Sequence, residues 1–428
     1  MSHEPGRAAA DAVLKGLDGI RSDLESCYRQ LHSHPELGHQ EHHTAAEAAA
    51  VLGEAGFRVH EGIGGTGVVG VLGDGDGPVV LLRADMDALP VKEATGLPYA
   101  SAETAHGDAG ETVPVAHACG HDMHVVCLLG AARLLAGARE VWQGTLVVVF
   151  QPAEEVGDGA RRMIDDGLAR LVPEPDVALA QHVLPFPAGQ VGTRSGSVLS
   201  SRDNVSVTVY GRGGHGSAPQ ATVDPVVMAA MIVVRLQTIV SRELAPTTPA
   251  VVSVGSVRAG TTANVIPESA TIELNVRTYD ETTRNRILDA VRRIVKAECD
   301  ASRAPREPEF TVSGHLPPTV NDQDVTERVA SAFAGYFGDR AVTLPLQTAS
   351  EDFSDIPNGL GVPYTYWGVG AADAELYRAA QKKGTLEQDV PVNHSARFAP
   401  VVQPTLDTGV QTLVVAALGW LARTGTDD

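Results

Sequence analysis

Thr145-Leu146-Val147-Val148-Val149-Phe150-Gln151-Pro152-Ala153-Glu154-Glu155 is an apolar, largely β-branched run that stops at a proline and hands over two adjacent carboxylates. An apolar run of this length reads as a strand buried on both faces, as in a parallel sheet covered by helices. Two other stretches behave alike. Val79-Val80-Leu81-Leu82 leads into Asp85 and Asp87, and Asp176 to Gln181 leads into His182. In open α/β sheets ligands bind at the carboxyl edge of the strands, so residues distant in sequence can converge there. Helical segments Asp122 to Ala138 and Gly159 to Leu168 supply the alternation such a sheet needs. Upstream, apolar residues at three- and four-residue steps from Leu14 to Leu31 describe an amphipathic helix with Cys27 on its buried side, and Glu41 to Ala55 a second helix capped by Gly56.

Beyond Gly192 the pattern changes. Asn204 to Tyr210 alternates, Asp224 to Leu244 is a long helix, Val251 to Val257 and Ala270 to Thr278 are strands, and Glu281 to Glu298 is a helix. This β-α-β-β-α order is a split βαβ, ferredoxin-like unit. The expected fold class is therefore α/β: a mostly parallel-sheet catalytic domain over residues 1–195 and 305–428, with a smaller α+β domain inserted at 196–304. The hinges fall at Gly192 to Gly196 and Ser302 to Glu307. Asp324 to Phe337, Tyr364 to Val369 and a last helix from Val402 to Arg423 complete the first domain.

A chain of 428 residues exceeds what one hydrophobic core usually supports. Its formal charge of -20 would repel nucleic acid and anionic membranes alike. Four cysteines, Cys27, Cys119, Cys127 and Cys299, are too few and scattered for a disulfide scaffold and point to a reducing compartment. Met1 to Asp11 lacks the apolar core of a signal peptide, and Val226 to Val234, the most apolar run, reads as a buried helix rather than a membrane span. The expectation is a cytoplasmic protein with neither nucleic-acid nor membrane partners.

The chemistry is concentrated in His117-Ala118-Cys119-Gly120-His121-Asp122-Met123-His124. Imidazole, thiolate and carboxylate suit zinc and related divalent ions, and Cys119 and His121 flank the start of a helix where one turn presents both. A histidine-rich surface loop is the bland alternative. Glu154 and Glu155 point in different directions beyond their strand, which divides their labour into one ligand and one general base. His215 lies in the glycine-rich Gly211-Arg212-Gly213-Gly214-His215-Gly216-Ser217-Ala218-Pro219 loop, which lacks the Lys-Ser/Thr ending of a phosphate loop and places a histidine to donate to a developing oxyanion.

Taken together, Arg83-Ala84-Asp85-Met86-Asp87-Ala88-Leu89-Pro90, His117 to His124, Gln151 to Glu155, Gly213 to Pro219 and Ser350-Glu351-Asp352-Phe353 resemble the amidohydrolase branch of the aminoacylase and carboxypeptidase G metallopeptidase family. Within it the likeness is to hippurate hydrolases and indole-acetyl-amino-acid hydrolases. The resemblance implies two divalent ions per subunit (zinc, manganese, cobalt or nickel) held by Cys119, His121, Glu155, His182 and His394, with Glu154 as general base and Asp87 in support. Peptidases elsewhere in the family carry His-x-Asp where this chain has Asp85-Met86-Asp87, so Cys119 compensates for a missing histidine. The resemblance assigns substrate contacts to His215, Asn264 and Arg277, and makes the inserted domain a lid through which two subunits pair. Small N-acyl amino acids or peptide-like molecules are then the substrates. The competing readings are a dipeptidase or carboxypeptidase of the same family and a non-catalytic metal-binding protein. His117 and His124 are left as supporting or surface groups.

Overall fold

The computed structural model of the chain describes residues 4–73, 76–107 and 110–423, so Met1 to His3 of the expected first domain, and its last five residues, lie outside the described residues. The chain divides into two compact units, one of residues 1–198, 321–345 and 352–428, the other of residues 199–320 and 346–351.

The first unit is built on an eight-stranded sheet in the order Arg58–Ile63, Gly67–Leu72, Thr145–Gln151, Val79–Asp85, Val177–Pro187, Tyr364–Ala372, Val191–Thr193, Ala341–Thr343. Its four central strands are mutually parallel, which places Asp85 beside Gln151 and Gly368 beside His182. Every residue of Val79–Asp85 and Thr145–Gln151 is buried, as a sheet covered on both faces requires. The helices Leu17–Ser33, His121–Ala136 and Val402–Leu421 pack on one another and share the main core with the strands. The hairpin Arg58–Ile63 with Gly67–Leu72 was not foreseen in the sequence, although Gly64 and Gly65 mark its turn with positive φ. The expected helix from Leu14 to Leu31 is two, Glu4–Leu14 and Leu17–Ser33, and Cys27 is half-buried against the core rather than inside it.

The second unit is a four-stranded antiparallel sheet, ordered Val251–Ala259, Ser269–Arg277, Arg202–Tyr210, Glu309–Leu316. Val205, Val207, Ile272 and Leu274 meet Met228 and Ile232 of the helix Pro225–Thr238 and Ile287 and Val291 of Glu281–Ala301 in a separate core. Two expectations need correction. The unit does not close near residue 304, because Glu309–Leu316 hydrogen-bonds to Arg202–Tyr210 and supplies the fourth strand. The apolar run Val226 to Val234 is buried on one side only: Met228, Ala229 and Ile232 are inside, whereas Val227 and Val234 are 58% and 65% exposed. The segment Pro225–Glu243 is, by length and composition, also apolar enough to cross a bilayer, contrary to the sequence-based expectation, but one face of it serves this core.

Asp203 anchors the unit's charge balance. Its carboxylate is fully buried and accepts both arms of the Arg284 fork at 2.7 Å, with His315 Nδ1 at 3.1 Å. Burial pushes its pKa up, but Arg284 and His315 outweigh this and hold it below the usual value. A depressed folded-state pKa contributes stability above the unfolded value of about 3.9, and that contribution is lost as pH falls through the folded value. Asp203→Asn should therefore destabilise the protein at neutral pH and flatten the acid limb of its stability below about pH 4, measured by urea titration across pH.

Candidate metal centre

Three elements converge at the carboxyl edge of the first unit's sheet. The helix His121–Ala136 starts at His121 directly after Gly120, whose φ of 85° is left-handed. A Cβ at Gly120 would meet Val183 Cγ2 at 2.5 Å, so only glycine lets the helix start so close to the Val177–Pro187 strand. His394 also has positive φ, at 69°, and its backbone N–H donates to Ala118 O at 2.7 Å. Asn393 Nδ2 donates to Cys119 O at 3.1 Å and to Val183 O at 3.2 Å, tying that loop to the strand.

The five expected ligands lie side by side. Ligand atoms of Cys119, Glu155 and His394 fall within 4.8 Å of one another, as do those of His121, Glu154 and Glu155. Cys119 Sγ is 3.5 Å from His182 Nε2, and His394 Nε2 is 3.2 Å from Glu155 Oε1. His182 Nδ1 donates to Val183 O at 2.8 Å, which leaves the Nε2 lone pair aimed at the cluster. Burial, together with the neighbouring His124 ring, holds His182 well below its usual pKa and therefore neutral.

The donor set suits a divalent cation, and the hydrogen-bond inventory supports the fit. Both ring nitrogens of His121, and Glu155 Oε1, are buried and make no well-directed hydrogen bond, although ion-pair partners stand close: Asp87 Oδ1 is 3.4 Å from His121 Nδ1 and His394 Nε2 is 3.2 Å from Glu155 Oε1. Buried polar atoms are left unsatisfied at a cost of about 1–3 kcal/mol each, unless something absent from the polypeptide satisfies them. Charge tells the same story. Burial pushes His121 down, but the Asp85 carboxylate and the Cys119 sulfur outweigh it and hold its pKa well above the usual range. The negative groups that raise the His121 pKa are ones a bound cation would also meet.

Around these groups runs a shell of fixed partners. Asp87 accepts from the backbone N–H of Glu154 and of Glu155, each at 3.0 Å, and its Oδ1 is 3.4 Å from His121 Nδ1. His124 Nδ1 donates to Asp85 Oδ1 at 2.5 Å while its Nε2 accepts from Val183 N–H at 2.8 Å. Both nitrogens being engaged, His124 supports the site rather than ligating, although it lies within ligand distance of His121 and His182. His117 is buried, not on the surface, and burial lowers its pKa to about 4. Sequence reasoning gave Arg83 no role. It is fully buried and donates to Asp85 Oδ2 at 2.7 Å and Gln151 Oε1 at 2.8 Å, with Nη2 3.4 Å from Asp352 Oδ1. An arginine inside an otherwise apolar strand was the available signal.

The residues expected to touch substrate all belong to the second unit. His215 is exposed in a two-residue ribbon with Val265 and Ile266, and Gly216 N–H donates to Asn264 O at 2.8 Å, so His215 and Asn264 are neighbours. Arg277 stands apart on the Ser269–Arg277 strand, donating to Thr348 O at 2.9 Å and Ser350 Oγ at 3.1 Å. No carboxylate pairs with it among the described residues.

Residues 81–392 match the family described as Peptidase family M20/M25/M40. The chain is 39% identical over 341 residues to a hippurate hydrolase of Campylobacter jejuni, covering 78% of this chain and 85% of that one. It is 35% identical over 375 residues to thermostable carboxypeptidase 1 of Saccharolobus solfataricus, covering 86% and 88%. A dinuclear metal-binding peptidase of the M20 family from Bacillus subtilis superposes with a TM-score of 0.76 at 28% identity, covering 94% of this chain and 98% of that one. With the family motifs in order along nearly the whole chain and the donor cluster assembled on one sheet edge, the chain belongs to peptidase family M20/M25/M40 and is a metal-dependent amidohydrolase.

Proposed function

We propose that the protein hydrolyses the amide bond of N-acyl amino acids at a pair of divalent ions held by Cys119, His121, Glu155, His182 and His394. The observation that carries this reading is the meeting of five nitrogen, oxygen and sulfur donors beside Glu154, with the His121 ring nitrogens and Glu155 Oε1 buried and making no well-directed hydrogen bond. Ions bound there would polarise the amide carbonyl and lower the pKa of water from about 15.7 to about 7. Glu154 takes the proton of the attacking water and returns it to the departing amine nitrogen. Asp87 fixes His121 from behind while holding the backbone of both glutamates. Among residues of the second unit, the family resemblance assigns substrate contacts to His215, Asn264 and Arg277, and the Arg277 guanidinium, which has no carboxylate partner among the described residues, suits a substrate carboxylate.

The likeness to a protein named hippurate hydrolase supports an acyl-amino acid substrate, and the likeness to one named carboxypeptidase supports a peptide. Steady-state comparison of hippurate-like conjugates with dipeptides, in the presence of zinc, manganese, cobalt or nickel, decides between them. The proposal expects kcat/KM higher for the acyl-amino acids; activity confined to dipeptides would overturn it.

The ligand assignment makes a second distinction measurable. Cys119→Ala should lower the number of ions bound per chain at saturating metal. His124→Ala should leave that number unchanged but weaken binding by about 10–100-fold, the usual cost of losing an outer partner of a ligand set. Equilibrium dialysis with elemental analysis separates the two effects.

We further propose a homodimer through the second unit. The exposed Val227, Met231 and Val234 face lies on the helix that packs beside the edge strand Val251–Ala259, where Val251 and Val257 are also exposed. An apolar helix face next to an unpaired strand edge suits a second copy related by a two-fold axis. Val227→Glu with Val234→Glu should convert a dimer to a monomer in light scattering without unfolding it. All four cysteines are unpaired, which supports a cytoplasmic location.

A further inference from the structure

The turn that presents Glu154 is held by more than its own strand. Ala153 is fully buried with φ of 51°, a left-handed conformation that costs a non-glycine residue on the order of 1 kcal/mol and persists only where surroundings impose it. Three successive amides of this turn donate to buried carboxylates: Ala153 N–H to Glu41 Oε1 at 2.8 Å, Glu154 N–H to Asp87 Oδ1 and Glu155 N–H to Asp87 Oδ2, each at 3.0 Å.

Glu41 has no other evident task. It stands at the N-cap of the helix His42–Glu54, yet its side chain makes no capping bond. Glu36 caps that helix instead, accepting from His43 N–H at 2.8 Å and Thr44 N–H at 2.9 Å. Glu41 is fully buried, turned toward Ala153, and steadied by Thr66 Oγ1, which donates to its Oε2 at 2.5 Å. The rest of its segment grips the same turn. A Cβ at Gly38 would sit 2.7 Å from Val156 Cγ2 and 3.3 Å from Ala153 Cα, and His39 Nε2 lies 2.8 Å from Asp158 Oδ1. Glu36 O also accepts from Ala88 N–H at 2.8 Å, next to Asp87. Residues 36–41 therefore hold the Asp87 loop and the Glu154 turn together.

We propose that Glu41 is a positioning residue for the proton transfer: by accepting the Ala153 amide it locks the left-handed turn that aims Glu154. This rests on the reading of Glu154 as general base. The requirement is for an acceptor oxygen at that place, not for a charge.

The test compares Glu41→Ala, Glu41→Gln, Thr66→Val, Glu154→Gln and the Glu41→Ala, Glu154→Gln pair. The readouts are kcat, KM, ions bound per chain, and the unfolding midpoint of metal-stripped protein. Glu41→Ala should lower kcat by about 10–100-fold, with KM and metal content within twofold. Glu41→Gln should recover most of the rate, because its amide oxygen still accepts from Ala153. On the Glu154→Gln background, removing Glu41 should cost nothing further. A folded Glu41→Ala enzyme with parental kcat, a loss of metal in proportion to activity, or the same fold-loss on both backgrounds would each overturn the proposal. If Glu41→Ala does not fold, Thr66→Val decides: a fall in kcat at unchanged KM and metal content supports the lock, and parental kcat removes it. Glu154→Gln with parental kcat would instead strike down the general-base reading, and the proposal with it.

Discussion

Glu154→Gln should reduce kcat by about 10³-fold while the protein keeps its full complement of metal, because positioned acid–base groups contribute roughly 10²–10⁴ and none of the five donors is touched. Glutamine has nearly the shape of glutamate, so the side chain, only 8% exposed, needs no repacking. Its backbone N–H, which donates to Asp87 at 3.0 Å, is unaffected. What is lost is a carboxylate able to carry a proton between water and amine. The neighbouring substitution is the control. Glu155→Gln alters a donor whose Oε1 is buried beside His121 and His394, so its loss of activity should track a loss of bound metal. Elemental analysis with kinetics on both variants separates a proton carrier from a ligand one residue away. If Glu154→Gln lost metal and Glu155→Gln kept it, the two roles would have to be exchanged.

Arg83→Met should be the most damaging single change to stability, by about 3–5 kcal/mol, the cost of leaving buried charges without their partner. Arg83, Asp85 and Asp352 are all fully buried. Burial raises the pKa of Asp85, but the Arg83 guanidinium outweighs it and holds that carboxyl well below the usual range, so removing the arginine leaves it uncompensated. The damage spreads along the bonds. Asp352 also accepts from Gln151 Nε2 at 2.6 Å and from Ala160 N–H at 3.0 Å, which tie the Thr145–Gln151 strand to the helix Gly159–Asp165. Asp85 in turn orients His124. The urea midpoint of the variant should fall sharply, with metal affinity falling as well. An unfolding free energy within about 0.5 kcal/mol of the parent, the range of ordinary surface substitutions, would show that the network carries little stability.

The sequence made the centre legible because strand ends announce themselves. Apolar runs ending in Asp87, Glu154 and His182, with a cysteine and a histidine at a helix start, require only that parallel strands share one ligand edge. His394 entered through family resemblance, since nothing periodic surrounds it and its left-handed backbone is set by the loop it closes. Glu41 was hidden for the opposite reason: it sits where a helix begins, and its turn away from that helix toward Ala153 depends on contacts 112 residues distant. Pairings between distant strands were equally silent. What ties Glu309–Leu316 to the second unit is its ladder with Arg202–Tyr210, a pairing that no local pattern in the strand announces. In the helix Pro225–Thr238 valine marks burial only on average, and a helix apolar on every side does not reveal which face the core takes.

The central claim is that the sheet edge holds two cations between these side chains. Anomalous scattering from crystals grown with manganese or zinc, collected on both sides of the metal's absorption edge, addresses it directly. Two peaks lying among Cys119 Sγ, His182 Nε2, His394 Nε2, Glu155 and His121 are the expected result. A map with no peak there, or with metal only at sites elsewhere on the chain, would contradict it.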